Sequence, residues 1–237
     1  EMICAFFGAG IGNYIRKKLI DNHITLLANV TVGVASACCI YVLLIKLAEI
    51  LFDVSHIHQA GYICAMLFVI PGFPLITGGI DLAKLDLRSG LERITYAFLI
   101  IVMATLTGWI TATIFHFQPS EFMELSLNPM LTLILRLATS FLGVYGFSLM
   151  FNSKRKMALI AGMIGMLVNT LRLELIDFTS IPVSVAAFIG TFCAGILASI
   201  CKKRVGYPRI TLTVPSIVIM VLSLIHISEP TRLQLIS

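Results

Sequence analysis

A polytopic bundle of membrane-spanning α-helices is the fold class this sequence predicts, and three observations predict it. Of 237 residues, 58% belong to the hydrophobic set and only 12% are charged, which leaves too little polar surface for an ordinary water-soluble domain. Uncharged runs recur along the chain at the length needed to cross roughly 30 Å of hydrocarbon, about 20 residues as a helix. No strand-like alternation runs through them, and unpaired backbone amides are not tolerated in hydrocarbon, so helices are expected rather than a barrel.

The elements follow in order. Residues 2–15 form an apolar run closed by Arg16, Lys17 and Lys18, and residues 24–45 a second closed by Lys46. Residues 59–80 precede a loop carrying Asp81, Lys84, Asp86, Arg88, Glu92 and Arg93, and residues 94–120 make the fourth run. A long fifth stretch is divided by Lys154, Arg155 and Lys156 into runs at 128–151 and 157–173. Residues 178–201 and the stretch from 210 onward bring the expectation to eight spans, the first and last incomplete. The chain opens at Glu1 directly before apolar sequence, which predicts a start inside a longer protein.

The loops check this count, because alternate loops share a side and Lys/Arg collect on the cytoplasmic one. The first, third, fifth and seventh loops hold thirteen basic residues, ending with Lys202, Lys203, Arg204 and Arg209. The intervening loops hold Lys46 and Arg172 and the acidic pair Glu121 and Glu124. The balance of 17 Lys+Arg against 12 Asp+Glu, a net +5, therefore reads as a topology signal and not as a nucleic-acid surface. Six cysteines, Cys4, Cys38, Cys39, Cys64, Cys193 and Cys201, lack metal-type spacing and read as small packing residues. Asp53, His56 and His58 allow a metal reading, but a wet outer loop is the stronger one.

Asn13-Tyr-Ile-Arg-Lys-Lys-Leu-Ile-Asp21 and Asn169-Thr-Leu-Arg-Leu-Glu-Leu-Ile-Asp177 match at Asn, Arg, Leu, Ile and Asp with a constant offset of 156. Each copy ends a span, is followed by one rich in small residues, and then by one with an internal proline, Pro71 or Pro215. An odd number of crossings, five, separates the copies, so the second lies upside down relative to the first. That is the inverted-repeat arrangement of many secondary transporters.

Four groups stand out as site candidates. The run from Val69 to Asp81 places Pro71, Gly72, Pro74, Thr77 and Gly78 late in a span, where an undisturbed helix cannot persist. Broken helices of this kind line solute sites, although a plain kink fits the spacing equally well. Asp81 directly follows and is the candidate protonatable gate. Arg136 lies well inside a span, where a substrate or protein carboxylate would partner it, the alternative being snorkelling to the interface. Asn13 and Asn169, equivalent in the repeat, suit either a polar solute or a bond to another helix. Gly8 with Gly12, and Ala186 with Gly190, have the spacing of close helix contacts, and such small-residue faces also permit a homo-oligomer.

The run Pro71-Gly72-Phe73-Pro74-Leu75-Ile76-Thr77-Gly78, with Asp81-Leu82 and Ser89-Gly90 following, resembles the threonine/serine exporter family of bacterial membrane proteins. Phe151-Asn152-Ser153-Lys154-Arg155 and Thr213-Val214-Pro215-Ser216-Ile217-Val218 resemble its second domain. The resemblance covers residues 2–221 and implies two five-helix halves, about ten spans in a complete chain. It further implies proton-driven export of small hydrophilic amino acids across the bacterial cytoplasmic membrane, with Pro215 of the second half added to the pathway. Some relatives are similar to two-part dicarboxylate exporters, which leaves a succinate-like solute as the alternative.

The expected organisation is thus a first exporter half at residues 1–120, a second at 121–221, and a non-native tail at 222–237. That tail resembles a translated sequencing adapter where the family would continue with Pro-Gly. An intramembrane enzyme would need a nucleophile-base pair, a His/Glu metal motif or facing aspartates, and the spans offer none, so neither catalysis nor a cofactor is expected. No Gly-x4-Gly-Lys-Ser/Thr motif supports direct ATP coupling. A non-transporting membrane subunit is the remaining alternative.

Overall fold

The computed structural model describes residues 2–52, 60–116, 128–179 and 181–220, and among them every regular element is helical. The Asp53, His56 and His58 group, Glu121, Glu124 and the tail at 222–237 lie outside the described residues. The chain divides into two compact units, Glu1–Leu125 and Ser126–Ser237.

The first unit contains α1 (Met2–Asp21), α2 (Leu26–Phe52), α3 (Ala60–Met66), a 3-10 turn at Leu67–Val69, α4 (Gly72–Ala83) and α5 (Leu87–Ile114). Its core is built around α2, whose Val30, Val34, Ala37, Cys38, Tyr41, Val42 and Ile45 are buried among Ala5, Tyr62, Ala65, Phe68, Ile100 and Ala104. Gly8 and Gly12 bring α1 so close to α2 that an added Cβ on Gly12 would lie 2.6 Å from the Ala37 Cβ and 2.9 Å from the Gly33 carbonyl. The small-residue spacing in α1 is therefore used for helix contact. Asp86 starts α5 by accepting from the Ser89 amide at 3.4 Å, an N-cap that ends the short loop after α4.

The second unit contains α6 (Pro129–Met150), α7 (Arg155–Phe178) and α8 (Val183–Val205). A shorter apolar helix, α9 (Arg209–Met220), completes it. Asn128 caps α6 by accepting from the Met130 amide at 3.3 Å, and Pro129 takes the first helical position, where no amide donor is missed. Gly206, at φ 76°, turns the chain out of α8 in a left-handed conformation that favours glycine. Val144, Ala161, Ile164, Val168, Ala194, Ala198, Leu212 and Met220 form this unit's core.

Both units turn large apolar side chains outward, with Phe6 at 73%, Trp109 at 67% and Phe188 at 69% exposure. In water such surfaces would be an association liability; for a multi-pass membrane protein they are the lipid-facing sides. Five helices are long and apolar enough to cross a membrane, or six when the bent pair Gly61–Val69 and Gly72–Ala83 counts as one span. The expectation of eight also counted α1 and the stretch from 210. The last two turns of α1 carry Arg16, Lys17, Lys18 and Asp21, and α9 falls in the shorter class. Several helices outrun the uncharged runs: α7 continues to Phe178 rather than stopping near residue 173. Charged side chains at the ends of membrane helices are accommodated by pairing or snorkelling and do not oblige the helix to end.

Candidate functional site

The proline-glycine run does break the helix. Pro71 is the residue before α4, with the buried Gly72 and then Pro74 inside its first turn, and the two helical pieces meet at 58°. Across the break the amide of Ile70 bonds the Leu67 carbonyl at 3.1 Å, and that of Gly72 bonds the Ile70 carbonyl at 2.9 Å. Proline cannot supply the regular amide bonds, so these tight turns replace them. Thr77 is buried, and its hydroxyl donates to the carbonyl of Phe73 at 2.8 Å and lies 3.3 Å from that of Pro74. Gly78 packs α4 on α5: a Cβ there would lie 3.2 Å from the Gly90 carbonyl and 2.9 Å from Ile94. One turn further on, Asp81 Oδ2 is paired with Arg93 Nε of α5 at 3.3 Å, their side chains 23% and 49% exposed.

In the second unit a polar line runs between α6 and α7, which pack antiparallel. Arg136 Nη1 donates to Glu174 Oε1 at 2.9 Å and its Nη2 lies 2.5 Å from Asp177 Oδ2. Glu174 and Asp177 share a face of α7 because they are three residues apart. Further along the pair, Asn169 Nδ2 donates to Ser140 Oγ at 2.9 Å, both side chains buried. Gly165 follows one turn later, where an added Cβ would strike the Val144 side chain. Arg136 thus has carboxylate partners, and they come from the protein.

The remaining candidates are not gathered into one place. Asn13 is exposed, because α1 turns Gly8 and Gly12 inward instead, whereas its repeat counterpart Asn169 is buried. Pro215 is buried within α9, next to Ser216, whose hydroxyl lies 3.5 Å from the Ala161 carbonyl of α7. An open groove of about 520 Å³ along α8, lined by Phe188, Phe192, Ile196 and Arg209 among others, includes none of the candidate residues. Its apolar walls suit lipid chains more than a polar solute. Among the described residues no cluster of His, Cys, Asp and Glu is placed to hold a metal ion.

Several residues placed in loops by their sequence context lie inside helices, and one of them is wholly buried. Arg172 is in α7, wholly buried, with its Nη1 donating to the Met220 carbonyl at 2.8 Å. The signal that points to it is the repeat, which aligns Arg16 with Arg172 as well as Asn13 with Asn169. Both arginines pack their stems beneath a glycine of the next helix, 3.2 Å from a Cβ on Gly33 and 3.4 Å from one on Gly190.

A multi-pass α-helical membrane protein, with a broken helix in one unit and an ion pair between helices in the other, is the class these features define. Comparison with protein families narrows it. A threonine/serine exporter model matches residues 1–115 and a second, Threonine/Serine exporter, ThrE, matches residues 136–221. The chain belongs to the threonine/serine exporter family, in its two-domain arrangement. No curated protein and no solved structure matches it.

Proposed function

We propose that this exporter-type transporter carries threonine and serine out across the bacterial cytoplasmic membrane in exchange for protons, with its two units as the two halves of an inverted repeat. The observation that carries the reading is the 58° break at Pro71, which begins the helix that carries Asp81, about three turns further on, to its ion pair with Arg93. Pro71, Gly72, Pro74 and Thr77 form the flexible wall of the pathway, and Gly78 is the contact on which α4 pivots against α5. A proton on Asp81 neutralises the carboxylate and releases Arg93, so the α4–α5 contact loosens when a proton arrives. Arg136, held by Glu174 and Asp177, is the corresponding charged element of the second unit. Asn169, backed by Ser140, supplies a polar side chain deeper in that unit, with Pro215 softening α9 and Asn13 at the mouth of the first unit.

The energy scale is sufficient. Moving one charge through 100 mV supplies about 2.3 kcal/mol, enough at full coupling for a gradient of nearly two decades. The test is efflux from bacteria fed a threonine-containing dipeptide. Cells expressing the protein should release threonine faster than control cells, and a protonophore should remove the difference. Asp81→Asn should retain slow release that no longer responds to the protonophore. Release independent of expression would reject the proposal, and gradient-sensitive release by Asp81→Asn would reject the role of that carboxylate.

A further inference from the structure

Arg172 is the largest of the fully buried side chains among the described residues, with 0% exposure, and it has no carboxylate partner among them. Its Nη1 is spent on the Met220 carbonyl, whereas Nε and Nη2 make no hydrogen bond to any described residue. The carboxylates nearest to it along α7, Glu174 and Asp177, are both taken by Arg136. A guanidinium sealed among helices without a counter-charge is expensive, and intramembrane arginines ordinarily pair or line a polar path.

The identity of the two unused donors narrows what the site lacks. Nε and Nη2 form the parallel edge of the guanidinium, the edge that matches the two oxygens of one carboxylate. Three residues earlier, on the same side of α7, the buried Asn169 has its amide nitrogen committed to Ser140 and its Oδ1 unbonded. Two parallel donors beside one free acceptor complement a zwitterion: carboxylate on the guanidinium, ammonium or hydroxyl hydrogen on the amide oxygen.

The close approach of α8 supports a built site. Gly190 stands over the Arg172 stem, and a Cβ there would meet Met220 Sδ at 3.1 Å and the Arg172 Cβ at 3.4 Å. The guanidinium reaches α9, where its Nη1 bonds the Met220 carbonyl. In the first unit the aligned Arg16 has only its Nε buried and unbonded, so the complete free edge belongs to Arg172.

We infer that Arg172 and Asn169 form a binding site for a small amino-acid zwitterion, with Arg172 holding the α-carboxylate; this rests on the exporter reading above. Alternating access would open the α7–α9 contact to admit the solute, and the Met220 carbonyl is the group that holds Arg172 when that contact is closed.

The test is equilibrium binding of labelled L-threonine and of threoninol, which lacks the carboxylate, to the purified full chain. Threonine should bind the wild type about tenfold to hundredfold more tightly than threoninol, the range for hydrogen bonds to a charged group. Arg172→Gln should bring threonine down to the level of threoninol and leave threoninol unchanged. Asn169→Asp places a competing carboxylate beside the fork; it should raise thermal stability while removing threonine binding, and it decides the matter if Arg172→Gln does not fold. Wild-type threonine affinity in either variant, or equal loss of both ligands in Arg172→Gln, would overturn the site. Export that persists in Arg172→Gln would sink this inference alone. A wild type that neither binds nor exports threonine would remove the exporter reading with it.

Discussion

Replacing Arg136 by Gln removes a cation that holds two carboxylates of α7, and the structure sets the scale of the loss. The guanidinium lies 2.9 Å from Glu174 and 2.5 Å from Asp177, with the three side chains 23%, 27% and 48% exposed in that order. At an effective dielectric constant of about 20, unit charges about 4 Å apart attract by about 4 kcal/mol. Partial exposure and side-chain ordering reduce this to a coupling of about 1–2 kcal/mol for Glu174 and below about 1 kcal/mol for the wetter Asp177. Arg136→Gln alone should cost more, about 2–3 kcal/mol, because Glu174 is left without compensation between helices. Unfolding of the wild type, Arg136→Gln, Glu174→Gln and the double variant in one detergent gives the coupling directly. Adding Glu174→Gln to Arg136→Gln should recover part of the loss. Strict additivity, within about 0.3 kcal/mol, would show that the pair contributes nothing and refute the reasoning.

Two further predictions concern helix packing. Gly12→Ala should destabilise by about 1–3 kcal/mol, because the new methyl would meet the Ala37 Cβ at 2.6 Å and a backbone oxygen at 2.9 Å, neither able to yield. Gly10→Ala, with nothing within 4 Å, should be neutral or gain up to about 1 kcal/mol of helix propensity; equal shifts in the two thermal unfolding curves would contradict the α1–α2 contact. Tyr62 donates to the Gly108 carbonyl at 2.7 Å from a buried position, so Tyr62→Phe should cost about 1 kcal/mol in denaturant unfolding, and an unchanged midpoint would show that this bond does not tie α3 to α5.

Much of the fold was legible because lipid imposes simple demands. Long uncharged runs had to be helices, and the two prolines with Gly72 could not sit in one straight helix, so the break at Pro71 was expected on chemical grounds. Helix ends were less legible. Charge was read as the end of a span, yet α7 runs on through Glu174 and Asp177, which find Arg136 on α6. That same error concealed Arg172: with two acids close behind it, the sequence looked like a loop, whereas the helix phase turns Arg172 inward. The pairing of Asp81 with Arg93 depends on the fold-back between α4 and α5, which local pattern does not specify. Asn13 and Asn169 carry the opposite lesson, since equal places in a repeat did not give equal burial.

Release of labelled threonine from proteoliposomes of the purified protein, with and without an imposed proton gradient, is the most direct measurement. Inward-directed protons should accelerate threonine and serine release and drive it against a concentration difference, while succinate stays inside. Release that ignores the gradient, or that matches protein-free vesicles, would contradict proton-coupled amino-acid export.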